Sequence, residues 1–208
     1  MKKIETISGI LLLMFLLFNS CNQESLHSGD LIFVVSENSN FEKSIVEVTK
    51  SKELNFSHVG IINVTDSGIF VVEAAPEKGV VYTKFHDFKT ENKNNTLYIA
   101  SFKPEYQKYG QDAINRACTH LGKGYDYAFD LKNDLYYCSE LVYDAYAHAT
   151  ENPNFFETPL MTFRNIETNE LVPYWIDYFE KLQTPIPEGK PGINPNGLSK
   201  SDKIVVSD

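Results

Sequence analysis

The hydrophobic pattern divides the chain into a leader, a run of strands and a run of helices. Ile10 to Phe18 is an unbroken apolar run between Gly9 and Asn19, with Lys2 and Lys3 ahead of it. A membrane-spanning helix needs about 20 apolar residues. The run is half that length, so residues 1–20 read as a signal peptide. A polar tether follows over 21–28. Short apolar runs then predict strands at Gly29–Val35, Phe56–Val64, Ile69–Ala75, Gly79–Thr83 and Thr96–Ala100. A turn is expected at Thr65–Gly68, a surface loop at Asn92–Asn95, and a short helix around Phe41–Val48.

The period then changes. Tyr109, Ala113, Ala117 and Leu121, with Ile114 and Cys118 beside them, predict a helix over Glu105–Leu121, closed by Gly122. Cys138, Leu141, Val142, Ala145 and Ala149 predict a second helix over Cys138–Ala149. A short amphipathic piece is expected around Trp175–Leu182, an extended Pro- and Gly-rich loop over 183–197, and a last strand at Lys203–Val206. Strands first and helices later indicate an α+β fold with an antiparallel sheet, in one domain over 29–208.

Composition narrows the function. The 208-residue chain is long enough to bury a core without disulfide or metal staples. Its formal charge of −9 argues against a nucleic-acid partner, which calls for a basic face. Removing residues 1–20 takes away Lys2, Lys3 and Glu5 and makes the remainder more acidic still. There are 12 Tyr and 14 Phe against one Trp, and Tyr125, Tyr127, Phe129, Tyr136 and Tyr137 all precede Cys138 closely. At least half of these five belong to the core. Tyr125 and Tyr137 are the candidates for touching a substrate.

Three Cys exclude a disulfide framework and invite separate readings. Phe18-Asn19-Ser20-Cys21 resembles a bacterial lipobox, which implies lipidation of Cys21 and a lipid-anchored protein of the cell envelope. Cys118 lies on the apolar stripe of its helix, in the last turn, and reads as a core residue. The negative end of the helix dipole there disfavours a thiolate. Cys138 opens its helix, where the positive end of the dipole and free N–H groups favour a thiolate. In an oxidising envelope, a Cys118–Cys138 disulfide is the competing reading.

His58 and Glu73 tilt the balance toward chemistry at Cys138. Glu73 is a carboxylate among Val71, Val72, Ala74 and Ala75, which is costly to bury without a partner. Any even-length loop between Phe56–Val64 and Ile69–Ala75 puts His58 and Glu73 on one face. A loop at Thr65-Asp66 sets them directly opposite, and a loop over Thr65–Gly68 sets them diagonal. A Cys–His–Glu triad is thereby possible, with Glu73 orienting the imidazole. His27, His86, His120 and His148 form no metal spacing with Cys or carboxylate pairs, so no metal site and no cofactor are expected.

Gly29-Asp30-Leu31-Ile32-Phe33, Phe56-Ser57-His58-Val59-Gly60-Ile61, Val72-Glu73-Ala74 and Tyr136-Tyr137-Cys138-Ser139-Glu140-Leu141-Val142 together resemble the YiiX/YebB-like branch of the NlpC/P60 superfamily. Gly124-Tyr125-Asp126 and the late Pro191-Gly192-Ile193-Asn194-Pro195 share the likeness. The branch consists of papain-like cysteine hydrolases in circularly permuted order, with the His strand ahead of the Cys helix. The resemblance implies Cys138 as nucleophile, His58 as base and Glu73 as orienting residue. It also implies a small antiparallel barrel-like sheet packed against the nucleophile helix. The expected activity is thiol hydrolysis of an amide, with peptidoglycan stem peptides as one substrate class. Lipid acyl hydrolysis or transfer is the alternative, and a non-catalytic lipid- or peptide-binding lipoprotein is the third reading. A monomer is expected, joined to the membrane only through its lipid.

Overall fold

The computed structural model describes residues 26–49 and 55–207. The signal peptide and Cys21 fall outside them. In chain order the elements are β1 (Leu31–Val35), α1 (Asn40–Thr49), β2 (His58–Thr65), β3 (Gly68–Ala75), β4 (Gly79–Lys84), α2 (Phe85–Glu91), β5 (Thr96–Phe102), α3 (Pro104–Gln107), α4 (Gly110–Cys118), α5 (Cys138–Ala149), α6 (Pro173–Leu182), α7 (Pro195–Ser199) and β6 (Ile204–Ser207).

The six strands form one antiparallel sheet in the order β4-β3-β2-β1-β5-β6. The α+β class and the antiparallel sheet are as expected. The sheet is open, with β4 and β6 as its edges, where the resemblance implied a barrel-like form.

Both faces of the sheet are covered, which explains why β1 reads as a continuous apolar run instead of an alternation. Leu31 and Phe33 join the main core with Val59, Ile61, Val72 and the inner faces of α4 and α5. Ile32 and Val34 point the other way, into a smaller cluster with Ile62, Val71 and Phe88 of α2. Each such fully buried side chain contributes about 1.5–3 kcal/mol of hydrophobic stabilisation.

One predicted helical segment comes out differently, and one helix forms where none was predicted. The helix expected over Glu105–Leu121 is broken into α3 and α4. The break falls where Gly110 lies against the start of β1: a Cβ on Gly110 would stand 2.1 Å from the Ser28 carbonyl oxygen. Gly29, at φ +99°, faces it across the same contact. α2 lies where the sequence reads as a polar run, because only Phe85 and Phe88 carry its apolar face. α5 has the bounds that the apolar stripe sets. α4 packs along it, and Arg116 of α4 clamps Asp144 of α5 with two hydrogen bonds of 2.8 and 3.1 Å.

Candidate active site

The site is assembled from two strands, one helix start and two loops. β2 and β3 are joined by a two-residue turn at Asp66-Ser67, with Thr65 paired to Gly68 and Ile61 to Val72. Continuing that register sets Gly60 opposite Glu73 and His58 opposite Ala75, so His58 meets Glu73 on the diagonal. Gly60 makes room for this: a Cβ there would stand 2.6 Å from Val71 Cγ1 and 3.4 Å from Glu73 Cβ. The Glu73 carboxylate reaches His58 Nε2 at 2.6 Å. Glu73 is 4% exposed, so this contact is the compensation for burying its charge.

Cys138 is the first residue of α5, after Tyr137 in extended conformation. Its N–H has no acceptor within the helix, as for every first-turn amide. His58 feels the thiol directly. Burial alone would push the imidazole down, but hydrogen bonding to Cys138 and to Glu73, with the negative charge of each, raises it to about 10. An imidazole so placed carries its proton across the neutral range and stands between a carboxylate and a sulfur.

Glu140, also in the first turn, accepts a hydrogen bond from Tyr137 N at 3.3 Å. Burial outweighs that bond and raises its carboxyl to about 9. It is therefore uncharged near neutrality and does not cancel the positive end of the helix beside Cys138.

A cleft with a volume of about 120 Å³ opens at Cys138. Its wall is mostly apolar, with Ile45 and Val48 from α1, Met161 and Phe163 from the loop before α6, Trp175 from α6, and Ile193. Tyr125 and Tyr137 line it too, whereas His58 and Glu73 lie outside its wall. Tyr125 is 6% exposed, and its hydroxyl has no hydrogen-bond partner among the described residues yet is not sealed from the cleft. Burial, and then the neighbouring Cys138, push that phenol well above its ordinary value, so it remains a proton donor.

Tyr137 serves differently. Its hydroxyl accepts from Ile193 N at 3.2 Å, while Ser139 Oγ donates to Ile193 O at 3.0 Å. These two bonds fasten the 183–197 segment to the start of α5. Asp126, fully buried, accepts from Ala128 N at 2.9 Å and Asp130 N at 2.6 Å. That tight turn holds Phe129 at φ +53° against Tyr137, with ring centroids 5.3 Å apart. Of the five aromatics before Cys138, Tyr125, Phe129, Tyr136 and Tyr137 are buried and Tyr127 is half-buried.

The remaining candidates separate from the site. Cys118 and Cys138 are both free thiols. Cys118 is half-buried, and burial raises its thiol. His120 binds Asp144 Oδ2 at 2.8 Å, and burial lowers its pKa. His86 is an exposed neighbour of Asp87. Among the described residues no group of three or more His, Cys, Asp or Glu is arranged to hold a metal ion.

Sequence reasoning passed over the walls of the cleft. The Phe41, Ile45, Val48 spacing on α1 and the Pro-rich 183–197 segment were the available signals, since apolar positions at i, i+4 and i+7 demand a partner surface.

The permuted papain-like amidase enzymes of the YaeF/YiiX group match residues 25–205. The uncharacterized protein YiiX of Escherichia coli strain K12 is 28% identical over 127 residues, which is 59% of this chain and 58% of that one. The crystal structure of metalloprotein yiiX from Escherichia coli O157:H7 superposes with a TM-score of 0.69 at 24% identity, over 88% of this chain and 96% of that one.

Proposed function

Because the chain belongs to the YaeF/YiiX family of permuted papain-like amidases, we propose that Cys138 is the nucleophile of a thiol amidase, His58 its general base and Glu73 the orienting carboxylate. The observation that carries this reading is the imidazole held between Glu73, at 2.6 Å, and the thiol at the start of α5. In the resting pair the proton of Cys138 already sits on His58, and the thiolate attacks the carbonyl carbon of the substrate. The oxygen becomes an oxyanion, met by the Cys138 N–H and the Tyr125 hydroxyl. On collapse His58 returns the proton to the leaving amine, and the acyl group stays on sulfur. Water, deprotonated by His58, then releases the acid and restores the thiol. The E. coli structural neighbour is described as a metalloprotein. The described residues here offer no ligand set for a metal, so no step is routed through one.

The cleft supports a choice of substrate. Ile45, Val48, Met161, Phe163 and Trp175 favour an aliphatic arm on the acyl side, as in a lipid amide or ester. Peptidoglycan stem peptides are the second class. Purified protein incubated separately with N-acyl amides, phospholipids and muropeptides, with products read by mass spectrometry, tests both. Hydrolysis that Cys138→Ala abolishes supports the enzyme reading. Turnover equal in that variant overturns it, and tight binding without turnover points to a non-catalytic binding protein. The lipidation of Cys21, with export to the envelope and anchoring in its membrane, belongs to the same proposal. Labelling with a palmitate analogue should tag the wild type and not Cys21→Ala.

A further inference from the structure

A second concavity lies away from the thiol, between the start of α1 and the outer face of α6. Asn40, Tyr127, Tyr174, Asp177, Tyr178 and Lys181 line it, and its volume is about 500 Å³. That size falls in the about 300–1,000 Å³ range of small-molecule clefts.

The tyrosine rings are fixed by packing. Tyr178 stacks on Phe41 at 5.9 Å and meets Trp175 edge-on at 5.2 Å. Its hydroxyl donates to Tyr127 O at 2.9 Å, and the Tyr127 hydroxyl accepts from Glu77 N at 2.8 Å. Tyr174 lies 5.9 Å from Tyr178 and 5.3 Å from Trp175. Two half-exposed rings on successive turns of one helix thus form a rigid platform. Aromatic faces set in this way keep their apolar surface available at low entropic cost.

The polar side chains are the second observation. Asn40, Asp177, Lys181 and the Tyr174 hydroxyl make no hydrogen bond or ion pair among the described residues. Asp177 and Lys181 are one helical turn apart and exposed without joining each other. One carboxylate, one ammonium and one amide around two aromatic faces make a charge-balanced groove. It offers no net attraction to a polyanion, and its charged rim around flat ring faces, with Leu182 at one edge, suits a ligand that is polar at its rim and apolar on its faces. Donors, acceptors and flat apolar faces in alternation match a pyranose, whose ring presents C–H bonds on its faces and hydroxyls on its rim.

We propose that this groove binds a neutral oligosaccharide, with a sugar ring laid on Tyr174 and Tyr178 and its hydroxyls met by Asn40, Asp177 and Lys181. The proposal does not rest on the amidase reading, because no atom of it belongs to the thiol site. If that reading also holds, the groove places a glycan next to the cleft, since Tyr125 of the cleft and Tyr127 of the groove are in ring contact at 4.9 Å.

Calorimetric titration of the full chain with chitotetraose and with cellotetraose tests it, and the single Trp, packed against Tyr174, is an optical reporter. Saturable binding of either sugar is expected, unchanged in Cys138→Ala. Tyr174→Ala should weaken it about tenfold, with a smaller loss in Lys181→Ala, whose exposed side chain leaves the fold intact, and retention in Tyr174→Phe. Absence of saturable binding to both sugars overturns the proposal. So does affinity that Tyr174→Ala leaves unchanged, or displacement of the sugar from Tyr174 by a stem peptide lacking any glycan. A chain that binds sugar while Cys138 proves inert would refute only the amidase reading.

Discussion

Cys118 is the last residue of α4 and Cys138 the first residue of α5, on two helices that pack against each other. Both are free thiols. Cys118 has the negative end of a helix dipole, burial that raises its thiol, and no hydrogen-bonded imidazole. Cys138 has the positive end, a neighbouring imidazole held protonated to about pH 10, and an apolar cleft in front of it. On the proposed reading, the difference teaches that a thiol's reactivity depends on which end of a helix it occupies and what the adjacent sheet presents to it. Burial does not separate the two, because Cys138 is the more buried of the pair.

The sharpest break of this comparison is removal of each thiol. Cys138→Ala should lower amide hydrolysis by about a thousandfold or more. Cys118→Ala should leave it within about twofold, measured on whichever acyl amide the wild type turns over. Next comes the proposed base: His58→Gln should cost about a hundredfold to ten-thousandfold. Tyr125→Phe should follow with a loss of up to about a hundredfold in kcat and little change in KM, because in the proposed mechanism the hydroxyl is used only as the oxyanion develops. The same variant should bind an aldehyde inhibitor, which forms an oxyanion on sulfur, less tightly than the wild type. Its alkylation by iodoacetamide, which forms none, should be unchanged.

Smaller effects sharpen the comparison through pH. His58 is raised in the folded protein above its ordinary 6.5, so its pairing contributes stability in full below about pH 6.5. That contribution is lost as pH rises toward about 10. The unfolding temperature of the wild type should fall over that interval, and less so in Glu73→Gln. Glu140 adds to the decline: a carboxyl raised to about 9 disfavours the folded state as pH climbs from about 4.5 to 9. Glu140→Gln keeps the acceptor for Tyr137 N and removes the ionisation. Its melting point at pH 8 should equal or exceed that of the wild type.

Much of this was legible in the chain because period carries it. The α5 stripe fixes its bounds, and even-loop parity already puts His58 and Glu73 on one face. The choice between direct and diagonal pairing was not legible. It depends on how tightly the turn closes, and the structure closes it at Asp66-Ser67 with the diagonal register. The cleft was hidden for another reason. Ile45, Met161, Phe163, Trp175 and Ile193 are far apart in sequence, and only tertiary packing brings them to Cys138. The Ile193 clamp falls within a segment whose Pro and Gly content reads as loop, and nothing local shows that Tyr137 and Ser139 will seize it. The split between α3 and α4 depends on a backbone contact between Gly110 and Ser28 that no periodicity records.

The most direct test of the central claim is the rate of iodoacetamide labelling at pH 7 of the peptides containing Cys118 and Cys138, followed by mass spectrometry on the folded chain. Cys138 should be alkylated first, faster than a free cysteine, and should lose that advantage in His58→Ala while Cys118 stays slow. Labelling of Cys118 ahead of Cys138, or a Cys138 rate that His58→Ala does not change, would contradict the assignment of Cys138 as a base-activated nucleophile.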